Sequence, residues 1–148
     1  MRRTHAAAGL LIGFGLGAFF QTPLPETLVI ALVSETAALI PDLDLKLKIK
    51  HRTLTHSLLA LVVIGIIPFY APGGLIQKEY SGLMIGWIAG YASHLILDML
   101  TIQGIELLYP NHRRIRLLKL RTAGFVDQGL CVILLCGAVY ALGLGLLL

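Results

Sequence analysis

Five long apolar segments constrain the fold of this chain more than any other feature. They cover residues 6–20, 24–40, 54–70, 83–100 and 125–148. A helix that crosses a bilayer needs about 20 apolar residues, with about 17 as the short limit. Lipid cannot hydrogen-bond the backbone, so membrane spans are helices or closed barrels, and these segments lack the alternating polarity of barrel strands. The sequence therefore predicts an all-α fold, a polytopic membrane helix bundle with about five transmembrane helices in a single domain, residues 1–148.

The composition agrees with a membrane protein. Hydrophobic residues make up 57% of the chain, charged residues make up 14%, and the mean hydropathy of +0.84 excludes an ordinary soluble domain. A net charge of +4 would suit nucleic acid, but no basic stretch is interleaved with aromatic residues for base stacking. Direct nucleic-acid binding is therefore not expected, and anionic membrane lipids are the expected neighbours. The sequence leaves open whether the chain forms a homo-oligomer.

The basic residues predict the orientation in the membrane. Eleven of the twelve lysines and arginines fall at the N-terminus, in residues 41–53 or in residues 101–124, and only Lys78 lies in another loop. Because basic residues near helix ends stay in the cytoplasm, the N-terminus and these two loops are predicted to be cytoplasmic. We expect a multi-pass protein of the plasma or inner membrane.

Side chains that commonly bind metal ions lie at the predicted cytoplasmic ends of four of the helices. They are His5, Asp42, Asp44, His51, His56, His94 and Asp98. Ionisable groups in or beside a membrane span are costly unless they face a cavity or one another. Each group alone has a simpler explanation, such as a hydrogen bond, a solvated loop or a helix cap. Their gathering at one face predicts a metal centre.

The local spacings give these residues chemical roles. His94 and Asp98 are one helical turn apart, so an imidazole and a carboxylate share a face. Asp42 and Asp44 follow Pro41 and supply hard oxygen ligands. Further on, Arg52, Thr55 and His56 would share one face of a helix, with Thr53 or Thr55 as its cap, and would suit a phosphate.

Two glycine stripes predict how helices pack. Glycines 9, 13 and 17 follow His5 at intervals of four, and glycines 82, 86 and 90 precede His94 at the same interval. Small residues at this spacing let membrane helices approach closely. We expect the two stripes to pair directly, Gly9 with Gly90 and Gly17 with Gly82, which would bring His5 level with His94.

In combination, these motifs resemble the YdjM-like membrane-bound metal-dependent hydrolases. The resemblance covers roughly residues 4 to 112 and rests on Thr4-His5, Ile40-Pro41-Asp42-Leu43-Asp44, His51-Arg52, Thr55-His56-Ser57, His94-Leu-Ile-Leu-Asp98 and Tyr109-Pro110. A more distant similarity to zinc-dependent phospholipase C implies phosphoester hydrolysis at a zinc cluster, with Asp98 bridging the metals.

The resemblance also implies limits on the cofactor. The phospholipase pattern matches His5, Asp42 or Asp44, His56, His94 and Asp98, but its later ligands have only Glu106, His112 and Asp127 as counterparts. We therefore expect two divalent ions, zinc or manganese. Glu35 and Asp127 are possible supporting residues, and whether His51, Asp127 or Glu35 contacts a metal stays open.

The function expected from these residues is a hydrolase that cleaves a lipid or prenyl phosphoester at the cytoplasmic face. A metal-activated water would attack the phosphorus, and Arg52 and Asp98 would be catalytic. Two alternatives remain: a metal-binding membrane transporter, and a structural membrane protein without catalysis.

Overall fold

A computed structural model describes residues 1–47, 50–70, 81–121 and 124–147. Six α-helices form its framework: α1 (Arg2–Phe20), α2 (Leu24–Leu39), α3 (Leu43–Leu47), α4 (Leu58–Tyr70), α5 (Ser81–Met99) and α6 (Phe125–Leu147). A short 3-10 turn, Leu54–His56, precedes α4. The described residues contain isolated β-bridges but no strand. The all-α prediction is confirmed for this part of the chain. Lys48 and residues 71–80, which include Lys78, lie outside the described residues.

Helices α1, α2, α4, α5 and α6 coincide with the five apolar segments, but the prediction of five spans is not confirmed. Among the described residues, only α6 is long and apolar enough to count as a candidate membrane span, with a mean hydropathy of 2.5. Helices α2 and α4 are short, with 16 and 13 residues, and α1 and α5 carry polar residues at one end.

Helix α2 lies between α1 and α5, and this arrangement corrects the predicted glycine pairing. A Cβ added at Gly9 would lie 2.6 Å from the Cα of Glu35, and one at Gly90 would overlap the carbonyl oxygen of Ser34. Both stripes thus pack on α2 from different sides rather than on each other. The two helices are still level at their polar ends, because both glycines meet the same turn of α2, next to Ser34.

Helix α6 packs against α1 and exposes most of its apolar surface. Phe125, Ile133 and Val139 are exposed, and only 11% of its apolar window is buried within the protein. Such a surface suits lipid rather than water. By contrast, Tyr91 and Leu95 of α5 pack with Ala37, Ala60 and Ile105 in a buried apolar core.

The segment before α4 is a turn, so the predicted helical face of Arg52, Thr55 and His56 is wrong. Arg52 has a φ of 64°, and Ser57 is extended. Neither predicted threonine caps the helix; the backbone N–H of Ala60 donates instead to Ser57 Oγ, at 3.1 Å. Because Arg52 has a left-handed backbone and a 3-10 turn follows it, the side chains of Arg52, Thr55 and His56 point in different directions. In an α-helix they would have lain on one face.

Residues 100–121 fold back over this end of the bundle. Ile105 and Ile115 pair as an antiparallel bridge, the Leu58 N–H donates to the Leu107 carbonyl, and the Glu106 N–H donates to the Arg52 carbonyl. The loop thereby fixes the turn that carries Arg52 and His56.

Candidate metal centre

The predicted ligands meet at one end of the bundle although they come from four separate segments. His5 lies in the first turns of α1, Asp42 and Asp44 follow α2, His56 belongs to the 3-10 turn, and His94 and Asp98 lie in the last turns of α5. The rings of His5 and His94 stack with their centroids 3.8 Å apart, at the level predicted from the sequence. His5, His56, His94 and Asp98 are all almost completely buried.

Two imidazole nitrogens face each other at the centre of this group. His56 Nε2 lies 3.1 Å from His94 Nε2. The other nitrogen of His94, Nδ1, is 2.7 Å from the carbonyl oxygen of Ala38, which can only accept, so Nδ1 carries the proton. In the neutral imidazole, His94 Nε2 therefore presents a lone pair.

His56 also carries its proton on Nδ1, because of a hydrogen bond to the neighbouring Thr55. The Thr55 hydroxyl donates its hydrogen to Asp44 Oδ2, at 2.8 Å, so its oxygen accepts from His56 Nδ1, at 2.9 Å. His56 Nε2 is then also a lone pair in the neutral ring. Two lone pairs 3.1 Å apart repel unless a cation lies against them, and a hydrogen bond held by the second ring nitrogen is the usual support of a metal-binding histidine.

Asp98 adds an acceptor that no described residue satisfies. Its Oδ2 is buried and has no hydrogen-bond partner among the described residues; it lies 3.4 Å from His56 Nε2 and 3.7 Å from His94 Nε2. Its Oδ1 lies 3.4 Å from His5 Nε2 and accepts from Arg52 Nη2 at 3.2 Å. A buried carboxylate oxygen beside two lone pairs is the donor set of a divalent cation, so these residues fit a metal ion.

Asp44 is placed differently from Asp98. It is completely buried, and its two oxygens accept from His51 Nδ1 at 2.8 Å and from the Thr55 hydroxyl. His51 Nδ1 is therefore protonated, which leaves its Nε2 free to bind. Asp44 thus orients two histidines at once.

The donor atoms form two groups. His5, His94 and Asp98 make a buried group, and Asp42, His51 and His56 make a more accessible one; within each group the donors lie within 4.8 Å of one another. Asp42 Oδ1 is 3.9 Å from His56 Nε2 of its own group and 3.7 Å from His94 Nε2 of the buried group, so Asp42 is close to donors of both groups. The arrangement can hold two ions side by side.

A cavity of about 410 Å³ opens onto these residues. His5, Asp42, His51, Arg52 and Asp98 line its polar part. Arg52 is buried, and its Nη1 donates to Thr101 Oγ1 at 2.6 Å while Nη2 donates to Asp98. The guanidinium is therefore fixed at the cavity wall.

Sequence reasoning missed several supporting residues. The Ala38 carbonyl, the Thr101 hydroxyl and the Tyr91 hydroxyl, which donates to the Thr55 carbonyl, all hold site residues in place. A backbone carbonyl leaves no signal in a sequence, and Thr101 lies 49 residues from Arg52. Of the proposed supporting residues, Asp127 is bound by Thr4 Oγ1, one residue before His5.

A second ionic cluster lies beside the site in the 100–121 loop. Glu106 is buried and accepts from His112 Nδ1 at 2.7 Å, with Lys50 Nζ at 3.8 Å and Arg114 Nε at 3.9 Å. The hydrogen bond from His112, followed by these two cations, lowers the pKa of the Glu106 carboxyl. The contacts of Glu106 and His112 therefore stabilise the 100–121 loop, and neither residue belongs to the group of donors around Asp98.

Comparison with known proteins adds the family. The sequence profile of the YdjM inner membrane protein family matches residues 1–147. YvsG of Bacillus subtilis (strain 168), named an uncharacterized protein, is 48% identical over 80 residues, which is 53% of this chain and 46% of that protein. The inner membrane protein YdjM of Escherichia coli (strain K12) is 41% identical over 69 residues, 45% of this chain and 34% of that protein, and YdjM of Shigella flexneri matches to the same extent. The chain spans less than half the length of these curated relatives, and no solved structure matches it significantly.

Proposed function

The chain belongs to the YdjM inner membrane protein family, and we propose that it is a membrane-embedded, metal-dependent hydrolase. Its proposed reaction is the cleavage of a phosphoester in a lipid or isoprenoid substrate at the cytoplasmic face. The location in the inner membrane follows from the family name; the catalytic activity, the metal and the orientation belong to the proposal.

The observation that carries the proposal is the pair of facing Nε2 atoms of His56 and His94 beside the unpartnered Asp98 Oδ2. In a site without metal, one of the two imidazoles would have to be protonated or the repulsion tolerated in a buried environment. Divalent cations bound to these three donors would remove both problems. The structural alternative, a hydrogen-bonded polar end of a bundle, leaves Asp98 Oδ2 unexplained.

Two ions suit the charge of the site. The carboxylates of Asp42, Asp44 and Asp98 face the cluster, and two divalent ions outweigh them by one positive charge. Arg52 adds a further positive charge at the cavity wall. The remaining positive charge favours an anionic substrate such as a phosphoester. We propose zinc for both ions, with manganese as the alternative.

The protein's own residues position the reacting groups. When bound, a divalent ion lowers the pKa of water toward about 7 and stabilises negative charge on phosphate oxygens. Arg52, fixed by Thr101 and Asp98, presents its guanidinium to the cavity and donates to a phosphate oxygen that gains charge in the transition state. Asp98 contacts both Arg52 and the metal-binding histidines, so it positions the guanidinium next to the metal donors. Asp44 fixes the rings of His51 and His56 through their Nδ1 atoms.

The proposal is tested by hydrolysis assays with the full chain in lipid nanodiscs. Zinc-loaded protein should release phosphate or alcohol from a panel of phospholipids and prenyl phosphates, and the Asp98→Asn variant should be inactive. His112→Ala is the matched control, because His112 is exposed and outside the donor groups. Good cleavage of soluble phosphodiesters or nucleic acid together with failure on the lipid panel would contradict the substrate assignment. Zinc transport into proteoliposomes without any hydrolysis would favour the transporter.

A further inference from the structure

The mouth of the cavity combines apolar and cationic side chains. Leu39, Leu43 and Leu45 line the cavity together with Arg2 and Lys46, in addition to the polar group already described. Leu45 is 59% exposed and Leu43 is 43% exposed, so leucine side chains at the cavity mouth face outward from α3. No donor of the metal centre accounts for these five residues.

The charges around the cavity favour a doubly charged head group. Arg2, Lys46 and Arg52 contribute three positive charges to the lining, against two negative charges from Asp42 and Asp98. Arg52 is paired with Asp98, whereas Arg2 and Lys46 have no acidic partner among the described residues. Each bound divalent ion would increase this positive excess. A phosphomonoester or diphosphate carries more charge than a phosphodiester, so it gains more from such a site.

The size of the cavity limits what enters it. A volume of about 410 Å³ lies in the lower part of the range of roughly 300–1,000 Å³ for small-molecule sites. This room suits a phosphate head and the first part of one chain, while the remaining chain stays in the bilayer. The exposed leucines of α3 offer apolar surface beside the cavity for the rest of the chain.

We infer that the cavity recognises a single-chain amphiphile with a terminal phosphate, a monoester or diphosphate, rather than a phosphodiester. Arg2 and Lys46 contact phosphate oxygens, and Leu43 and Leu45 contact the start of the chain. This inference rests on the proposed function, because it assigns a substrate class to that same site. It identifies Arg2 and Lys46 as specificity-determining residues and not as catalytic ones.

The test measures binding and not turnover. Zinc-loaded protein in zwitterionic nanodiscs is titrated calorimetrically at about pH 9, where lysine stays protonated. At this pH decylphosphonate is a dianion, whereas its monomethyl ester, with the same chain, is a monoanion. Empty nanodiscs correct for partitioning of the chain into lipid. We expect the dianion to bind at least tenfold more tightly, and we expect Lys46→Ala or Arg2→Ala to reduce this ratio to about threefold or less.

Further ligands and variants test the chain contact. Affinity should rise from butylphosphonate to decylphosphonate in the wild type, and Leu45→Ser should reduce that rise without changing the preference for the dianion. Lys119→Ala and Leu118→Ser are the matched controls, since both residues are exposed and do not line the cavity.

The outcomes separate this inference from the hydrolase proposal. Equal affinity for dianion and monoanion, or preferential hydrolysis of phosphodiesters by the zinc-loaded protein, overturns the inference and leaves the hydrolase standing. The expected binding pattern without hydrolysis of any phosphoester supports the recognition site and contradicts the hydrolase.

Discussion

His56 and His94 direct their Nε2 atoms at each other across 3.1 Å, although the two residues come from a turn and a helix 38 positions apart. Each ring is held from behind, His94 by the Ala38 carbonyl and His56 by the Thr55 hydroxyl. Such support fixes the tautomer and the ring orientation before any ligand arrives. The site is therefore organised by the fold, and each supporting contact is open to mutation.

Asp44→Asn tests the support behind the histidines. The amide cannot accept at both positions as the carboxylate does, so His51 and His56 lose part of their orientation. We expect zinc affinity to fall by about 10- to 100-fold while the fold is retained. Competition with a chelator of known affinity measures the change, and Glu26→Gln, at the other end of α2, is the control. Unchanged affinity would show that Asp44 does not act through the histidines.

Arg52→Lys tests the fixed guanidinium. Lysine carries the charge but cannot donate to Thr101 and Asp98 in the same planar arrangement. We expect kcat to fall by about 10²-fold, as for the loss of one transition-state donor, with zinc content unchanged. Arg116→Lys, in the exposed loop, should keep wild-type kcat. A wild-type kcat in Arg52→Lys would exclude the proposed role.

Gly90→Ala tests the packing of α5 on α2. The new Cβ would overlap the Ser34 carbonyl oxygen, which is backbone and cannot move aside cheaply. We expect destabilisation of about 1–3 kcal/mol, typical of overpacking. Gly129→Ala is the matched control in α6, because no neighbouring atom of the described residues lies within 4 Å of the added Cβ. It should stabilise by roughly 0.5–1 kcal/mol through helix propensity. Thermal unfolding in detergent measures the stability of both variants. If the unfolding midpoint of Gly90→Ala equals that of the wild type, the packing of α5 on α2 described above is contradicted.

Only part of this arrangement was predictable from the sequence. The glycine stripes indicated close helix contacts and the level of His5 with His94, but a small-residue spacing does not identify its partner, and both stripes pack on α2. Helices α1, α2, α4, α5 and α6 were predictable because each coincides with an apolar run, whereas α3 was not predicted. The turn at Arg52 was not, because its left-handed backbone is held by a hydrogen bond to the loop at Glu106, far away in sequence.

The Glu106 cluster predicts a pH dependence of stability. His112 and the neighbouring cations lower the folded-state pKa of Glu106 below its ordinary value of 4.5. The carboxylate therefore stabilises the fold above pH 4.5, and this contribution is lost as the pH falls from 4.5 through the lowered pKa. Glu106→Gln should be less stable than wild type at pH 7, and the difference should shrink below pH 4.5. Equilibrium unfolding at several pH values measures the difference; a gap that is constant with pH would contradict the prediction.

The most direct test of the metal centre is the metal content of the purified full chain, prepared without chelator or affinity-tag metal and measured by mass spectrometry. We expect about two zinc or manganese ions per chain in the wild type and in His112→Ala. The double variant His94→Ala, Asp98→Ala should lose them while keeping the helical content of the wild type. A folded wild type that contains no metal, and that stays empty after reconstitution with zinc or manganese, would contradict the account and favour a structural role for the histidine cluster.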